Sequence, residues 1–393
     1  MLKKARLIID LQFGSTGKGL IAGYLAARHN PDTLITAWAA NAGHTYIDSE
    51  GTKFVHTMLA NGIVSKNLRR ILIGPGSLIN PDALVAEINE ALALGVDLSN
   101  VKLVIHPHAA VIQQRHIEEE QGPMTKIGST KKGVGAAAIH RIRRDPDDNN
   151  VAVNALQGHF LGQYVGTIEE YNEQLNAAEI AQIEGAQGYS LSMYHGMYPY
   201  TTSRDVTTAQ IFADCGLPIS WLARTEVIGT VRTFPIRVAN RFDEQGTQIG
   251  YSGGCYPDQH EMAWPELGLE AELTTVTKLP RRIFSLSFIQ LYEAMRINGV
   301  NKLFVNFANY LRTPGEYRRV MDGIQAVAVG SGADIGWIGF GPTDDHVIET
   351  PPELVTANLH SDRLMALWQS TNVTGGKMPV PAQHADFGQE SLA

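Results

Sequence analysis

Leu7-Ile8-Ile9-Asp10-Leu11-Gln12-Phe13-Gly14-Ser15-Thr16-Gly17-Lys18-Gly19 is the stretch on which the fold of this 393-residue chain turns. It opens on a short apolar run, residues 7–9, which reads as a buried strand. A glycine-rich turn follows. Leu20, Ile21, Tyr24 and Leu25 then recur on one face of a helical pattern. Strand, glycine turn and helix together aim backbone N–H groups and a helix N-terminus at a phosphate, and Lys18 adds a positive charge. The spacing is not that of a Walker A loop. Gln12 stands where its first glycine belongs, and Gly19 where its Ser or Thr belongs. Spacing alone leaves two readings open, a phosphate cradle or a plain tight turn.

Outward from this stretch, apolar runs predict further strands at 34–38, 71–73, 101–105, 151–155, 180–183, 227–231 and 303–307. Helical patterns lie between several of them. The clearest spans 81–94, with Asn80 as N-cap, Pro81 in the first turn and Gly95 just past the end. The alternation predicts an α/β fold, a large central, mostly parallel sheet with flanking helices. Nothing repeats with a period of 20–50 residues, and no stretch reads as a linker. We expect one domain over 1–370 and a loosely held tail over 371–393, which is rich in Gly, Pro and polar residues. Glu118-Glu119-Glu120 reads as a solvated face, and 141–148 as a charged segment ending in a turn.

Lys and Arg total 32 against 40 Asp and Glu, a formal charge of −8, which argues against nucleic-acid or anionic-membrane binding. Cys215 and Cys255 lie far apart with no metal or redox spacing, as expected of reduced thiols in a cytoplasmic protein. Residues 1–6 are too short and polar for a signal peptide, and no 18-residue apolar run occurs.

Further glycine-rich turns fall at predicted strand ends: Gly74-Pro75-Gly76-Ser77, Gly128-Ser129-Thr130-Lys131-Lys132-Gly133, Glu184-Gly185-Ala186-Gln187-Gly188 and Gly339-Phe340-Gly341-Pro342. Each alone is unremarkable. Together they suggest a site touching more than one phosphate at the C-terminal ends of strands. Asn41-Ala42-Gly43-His44-Thr45 follows the second strand, and its histidine is as well explained by structure as by chemistry.

The order Gly14-x-x-Gly17-Lys18-Gly19, Asn41 to Thr45, Glu184 to Gly188 and His195-Gly196-x-Tyr198-Pro199-Tyr200-x-Thr202-Ser203 resembles the adenylosuccinate synthetase family over about residues 5–345. The resemblance implies a homodimer and a two-step reaction. A nucleoside triphosphate phosphorylates O6 of a purine monophosphate, and the amine of L-aspartate then displaces that phosphate. It further implies that Gly14, Thr16, Gly17, Lys18, Gly19, Gly43, His44, Thr45, Asn309, Gly339, Gly341 and Pro342 hold the triphosphate nucleotide. Lys18 and His44 would be catalytic. Mg²⁺ would take the Gly43 carbonyl and Ser15. Ser15, Asn41, Thr130, Gln187 and Thr202 would hold the purine monophosphate, with Arg144 reaching its phosphate across the dimer interface. Thr275, Thr277 and Arg281 would clamp aspartate, Arg281 through a planar bidentate fork. A lyase of the adenylosuccinate type would consume the product.

Three departures from the family pattern point to its phage-type branch, the 2-aminoadenylosuccinate synthetases. Ser15 replaces the family's catalytic aspartate, and a neutral hydroxyl leaves room for a purine 2-amino group. Asp10, atypical at that strand end, is a candidate substitute carboxylate for the metal or a relay water. Asn309 replaces the aspartate that reads guanine, which favours ATP or dATP as donor. Leu279 replaces an arginine near the ribose, which favours a deoxynucleotide. The branch implies that dGMP and L-aspartate are joined at the expense of ATP to give 2-amino-2′-deoxy-N6-succinyl-adenylate, a precursor of 2,6-diaminopurine in DNA. Two other readings compete: an ordinary synthetase using IMP and GTP, and a catalytically inert nucleotide-binding protein, for which Ser15 is the main support.

Overall fold

The structure, a computed structural model, describes residues 1–121, 130–274 and 278–350. Its frame is a nine-stranded sheet. In chain order the strands are β1 (Lys4–Asp10), β2 (Thr33–Thr36), β3 (Arg70–Ile73), β4 (Lys102–Ile105), β5 (Ile180–Glu184), β6 (Thr225–Arg232), β7 (Lys302–Asn306), β8 (Asp334–Gly339) and β9 (Val347–Glu349). In space they run β9-β8-β7-β6-β1-β5-β2-β3-β4. Every neighbouring pair is parallel except β8 with β9. The expected mostly parallel α/β architecture is therefore present.

β1 sits at the centre because its sequence suits no other place. Leu7, Ile8, Ile9 and Leu11 are wholly buried, on both faces of the sheet. Each such side chain contributes about 1.5–3 kcal/mol relative to exposure. Helix α1 (Lys18–His29) packs Leu20, Ile21, Tyr24 and Leu25 inward, as their spacing predicted. Helix α2 (Pro81–Ala93) matches its predicted caps. The Asn80 side chain accepts from the N–H of Ala83, and Gly95 follows at φ +86°. A hairpin, His44–Ile47 paired with Lys53–His56, lies against α1. Gly23 lets the ring of Tyr46 cross that helix, since a Cβ there would come within 2.2 Å of the ring.

Three expectations need correction. Residues 151–155 are not a strand: Ala152–Ala155 form one helical turn, and Val151 makes only an isolated bridge to Ala110. A five-residue apolar run without flanking strand chemistry does not choose its own period. The acidic triplet ends α3 (Gln114–Glu120), yet Glu120 is buried and not solvated. Its carboxylate accepts from the N–H groups of Gly133, Gly135 and Ala136, satisfying the otherwise unpaired start of α4 (Val134–Arg143). The described part of the 128–133 turn leads into that helix. The tail at 371–393 and the end of the expected domain, from 351 onward, lie outside the described residues. Among the described residues no helix is long and apolar enough to cross a membrane.

Candidate active site

Parallel strands bring their C-terminal ends to one rim, and the site is built there. The loop after β1 is organised by a carboxylate. Asp10 is fully buried. Its Oδ1 accepts from the N–H groups of Gln12 (2.8 Å) and Gly14 (3.3 Å). Its Oδ2 accepts from the Thr16 hydroxyl (2.6 Å) and from Lys18 Nζ (3.0 Å). Thr16 Oγ1 also lies 2.5 Å from Thr230 Oγ1 on β6. The left-handed turn needs Gly14 (φ +93°) and Gly17 (φ +95°), and it carries Ser15 at φ +57°. Ser15 is exposed, Thr16 and Lys18 are buried.

Lys18 Nζ donates also to the carbonyl of Gln187 (2.9 Å), and Gln187 Nε2 donates to Asn41 Oδ1 (2.8 Å). Residues from three separate loops are thus joined in one chain of contacts. Gln187 too is left-handed, at φ +65°.

His44 begins the hairpin and is buried. Trp38 meets its ring edge-on at 4.2 Å, fixed by its own indole N–H to the Glu184 carbonyl (2.5 Å). Among the described residues, neither His44 ring nitrogen has a hydrogen-bond partner. Burial first, then the charge of Lys18, then His56, holds this imidazole well below its ordinary pKa, so it is neutral at pH 7. Glu184, the acid of the third glycine turn, is buried at the floor. It accepts from the N–H of Asn61 and Gly62 and from Gln182 Nε2, and burial pushes its carboxyl up to about 7.

The donor side of the rim forms around Asn306 at the end of β7. A Cβ on Gly17 would come within 2.1 Å of its Nδ2, and one on Gly339 within 2.3 Å of its Oδ1. The glycines of two loops are therefore required by one buried asparagine. Asn309 lies one turn further on, in Ala308–Tyr310, and is half-buried. Gly341 abuts His346, and Tyr46 donates to Asp344 Oδ2 (3.1 Å), tying the 339–342 loop to the hairpin that carries His44. Gly43 and Thr45, flanking His44, are exposed.

The remaining expected residues sit apart. Thr130 lies just before α4, half-buried, and Arg144 caps the other end of that helix, exposed and left-handed at φ +55°. Thr202 is half-buried, its N–H on the Leu191 carbonyl. Thr275 and Thr277 lie outside the described residues. Arg281 stands at the base of a hairpin, its N–H on the Glu272 carbonyl (2.8 Å) and its Nε on the Leu273 carbonyl (3.3 Å). Leu279, near the tip, is 38% exposed. Sequence reasoning missed Trp38, Glu184 as a buried acid, Asn306, Arg232 and Glu272. Of these, only Glu184 and Asn306 fell within motifs that drew attention.

Mg²⁺ prefers hard oxygen donors and keeps phosphate and water ligands. The Ser15 hydroxyl and the exposed Gly43 carbonyl fit an ion carried in by a triphosphate. Asp10 does not, since both its oxygens are already engaged. Among the described residues no cluster of three or more His, Cys, Asp or Glu could hold a metal.

Comparison with known proteins places the chain in a family. A model of the adenylosuccinate synthetase family matches residues 7–147 and 150–318. A protein of Acinetobacter phage SH-Ab 15497 named N6-succino-2-amino-2′-deoxyadenylate synthase is 48% identical over 373 residues, 89% of this chain and 94% of its own. The structure of the cyanophage S-2L succinoaminodeoxyadenylate synthetase (PurZ), bound to dGMP and to dATP as energy donor, superposes with a TM-score of 0.84 at 44% identity. The match covers 94% of this chain and 100% of that one. The adenylosuccinate synthetase of Plasmodium falciparum, at 18% identity and a TM-score of 0.66 over 89% of this chain and 100% of its own, shares the fold. The chain is a ligase that belongs to the adenylosuccinate synthetase family.

Proposed function

We propose that the chain joins dGMP and L-aspartate, with ATP or dATP as phosphoryl donor, to give N6-succino-2-amino-2′-deoxyadenylate, ADP or dADP, and phosphate. The observation that carries this reading is Ser15: an exposed, neutral residue in the left-handed turn, beside a Lys18, Gln187, Asn41 and His44 constellation that is otherwise intact. Similarity to phage proteins of that name supports it.

In the first step guanine O6 takes the γ-phosphoryl group, N1 gives up its proton to solvent, and the nucleoside diphosphate leaves. In the second the aspartate amine bonds to C6, and phosphate departs with the O6 oxygen. Lys18 and the N–H groups at Gly17 and Gly19 hold the triphosphate. Neutral His44 donates a ring N–H to the transferring phosphoryl group, aimed by the Trp38 edge. Ser15, Asn41, Thr130, Gln187 and Thr202 hold the purine nucleotide. Gly339, Gly341, Pro342 and Asn309 hold the donor nucleoside, with Thr16, Gly14 and Thr45 at its phosphates. Arg281, with Thr275 and Thr277, clamps the aspartate carboxylates. Ser15 and the Gly43 carbonyl would hold Mg²⁺, which would supply neutralisation of phosphate charge. The enzyme works as a homodimer in the host cytoplasm, with Arg144 completing the partner's nucleotide site, and a β-eliminating lyase consumes the product.

Purified protein with aspartate, Mg²⁺ and ATP or GTP, offered dGMP, GMP and IMP, tests this. Succinylated product from dGMP with ATP or dATP is expected. Turnover on IMP alone overturns it in favour of an ordinary synthetase, and binding without turnover in favour of an inert binder.

A further inference from the structure

One ion pair outside the residues just assigned, a buried arginine with a half-buried glutamate, touches three of the site's segments at once. Arg232, the last residue of β6, is fully buried. Its main chain is pinned by Gln12, whose amide accepts from the Arg232 N–H (2.9 Å) and donates to its carbonyl (3.1 Å). Its guanidinium donates to the Ser15 carbonyl (3.1 Å) and, in a fork, to Glu272 Oε1 (2.5 Å) and Oε2 (3.4 Å). The flat face of the guanidinium lies 3.9 Å from the Phe307 ring centroid.

Glu272 completes the connection. Its Oε1 also accepts from the Tyr310 hydroxyl (3.0 Å). Its carbonyl accepts from the N–H of Arg281 (2.8 Å), and Leu273 bridges Pro280, so Glu272 anchors the hairpin that carries Arg281. Two residues touched by Arg232, Ser15 (φ +57°) and Phe307 (φ +61°), hold left-handed conformations that non-glycine residues adopt at a cost. Such conformations persist where the surroundings over-determine them, and the planar fork of arginine suits that task.

We propose that Arg232 and Glu272 are positioning residues, which hold the turn at Ser15 and the segment 307–310 in register with the Arg281 hairpin. The purine end and the amino-acid end of the reaction are thereby kept at a fixed separation. This rests on the function proposed above, in which Arg281 receives L-aspartate. Displacing reacting groups by about 1 Å costs up to ~10²-fold in rate. Loss of the pair therefore damages aspartate binding and chemistry together, although neither residue touches a substrate.

Glu272→Gln, which keeps size and an acceptor for Tyr310, tests this. The expected result is an aspartate KM raised about fivefold or more and a kcat lowered about tenfold to 10²-fold, with KM for dGMP and ATP within about twofold of wild type. Arg232→Lys combined with Glu272→Gln is expected to be no worse than the worse single variant, as for one shared interaction. Tyr310→Phe, which deletes only a hydroxyl, is expected to move aspartate KM and kcat in the same direction by a smaller factor, and reports if Glu272→Gln fails to fold. Wild-type aspartate KM and kcat in the folded variants overturn the proposal. So does a fall in kcat that matches a reduced fraction of active sites with every KM unchanged. Absence of turnover by the wild-type enzyme on dGMP, aspartate and ATP instead overturns the functional reading, and this proposal with it.

Discussion

At the scale of the residue, Asp10 is the buried carboxylate that organises the turn, and Ser15 is the exposed residue on it. Asp10 spends both oxygens on its own loop and on Lys18, so Asp10→Ala strands a buried ammonium and two N–H groups. The expected cost is about 3–5 kcal/mol, read as a lowered urea midpoint. Ser15 faces the purine in the proposed reaction. Ser15→Asp is expected to lower kcat/KM on dGMP by about 10- to 200-fold, and unchanged turnover in steady-state assays would refute its role. His56, paired across the hairpin from His44, is wholly buried, and burial brings its imidazole down to about 4. Unfolding returns it to about 6.5, so between those values the unfolded chain binds the extra proton. Stability present above pH 6.5 is therefore lost as pH falls toward 4, by up to about 3 kcal/mol. Denaturant titrations across that window should show the slope, and His56→Gln should flatten it by about one proton. His44, held low by the same burial, adds to the slope in the same direction.

At the scale of the element, the packing of α1 against the hairpin has no slack. A Cβ at Gly19 would come within 2.5 Å of the Thr45 carbonyl and 2.6 Å of its N–H, both backbone atoms. Gly19→Ala is expected to cost about 2–4 kcal/mol and to displace His44 next door, with turnover reduced even where thermal melts show a folded protein. Such elements were legible in the sequence to the degree that their physics is local. β1 announced itself because both faces are buried, making a continuous apolar run, and α2 because Asn80, Pro81 and Gly95 punctuate it. Residues 151–155 misled because four Val and Ala residues around Asn154 are too short a run to fit one period over the other. Glu120 misled because an acidic triplet looks the same whether it meets water or the N–H groups of a helix thirteen residues on. Lys18, Gln187 and Asn41 come from three separate motifs, which the fold joins by hydrogen bonds. The Arg232 and Glu272 pair could not be read, since forty residues separate its members and only the sheet brings them together.

At the scale of the whole molecule, Arg144 stands exposed in the left-handed cap that ends α4. If it completes a partner's site, Arg144→Ala should raise KM for dGMP about tenfold or more with little change for ATP. At dGMP well below that raised KM, mixing Arg144→Ala chains with Lys18→Ala chains should then give more activity than the two give separately. Additive, uncomplemented rates in the mixture would show that each site is built within one chain. The frame beneath these sites has a broader consequence. β1 through β8 all point the same way, so the chemistry sits on their tips while the strands themselves are sealed between layers of helices. Recognition and mechanical support thus fall to different parts of the same strands. Exchanging a tip between members of this lineage, such as residues 12–17, should transplant a preference for one nucleobase over another, with the scaffold left as evolution built it.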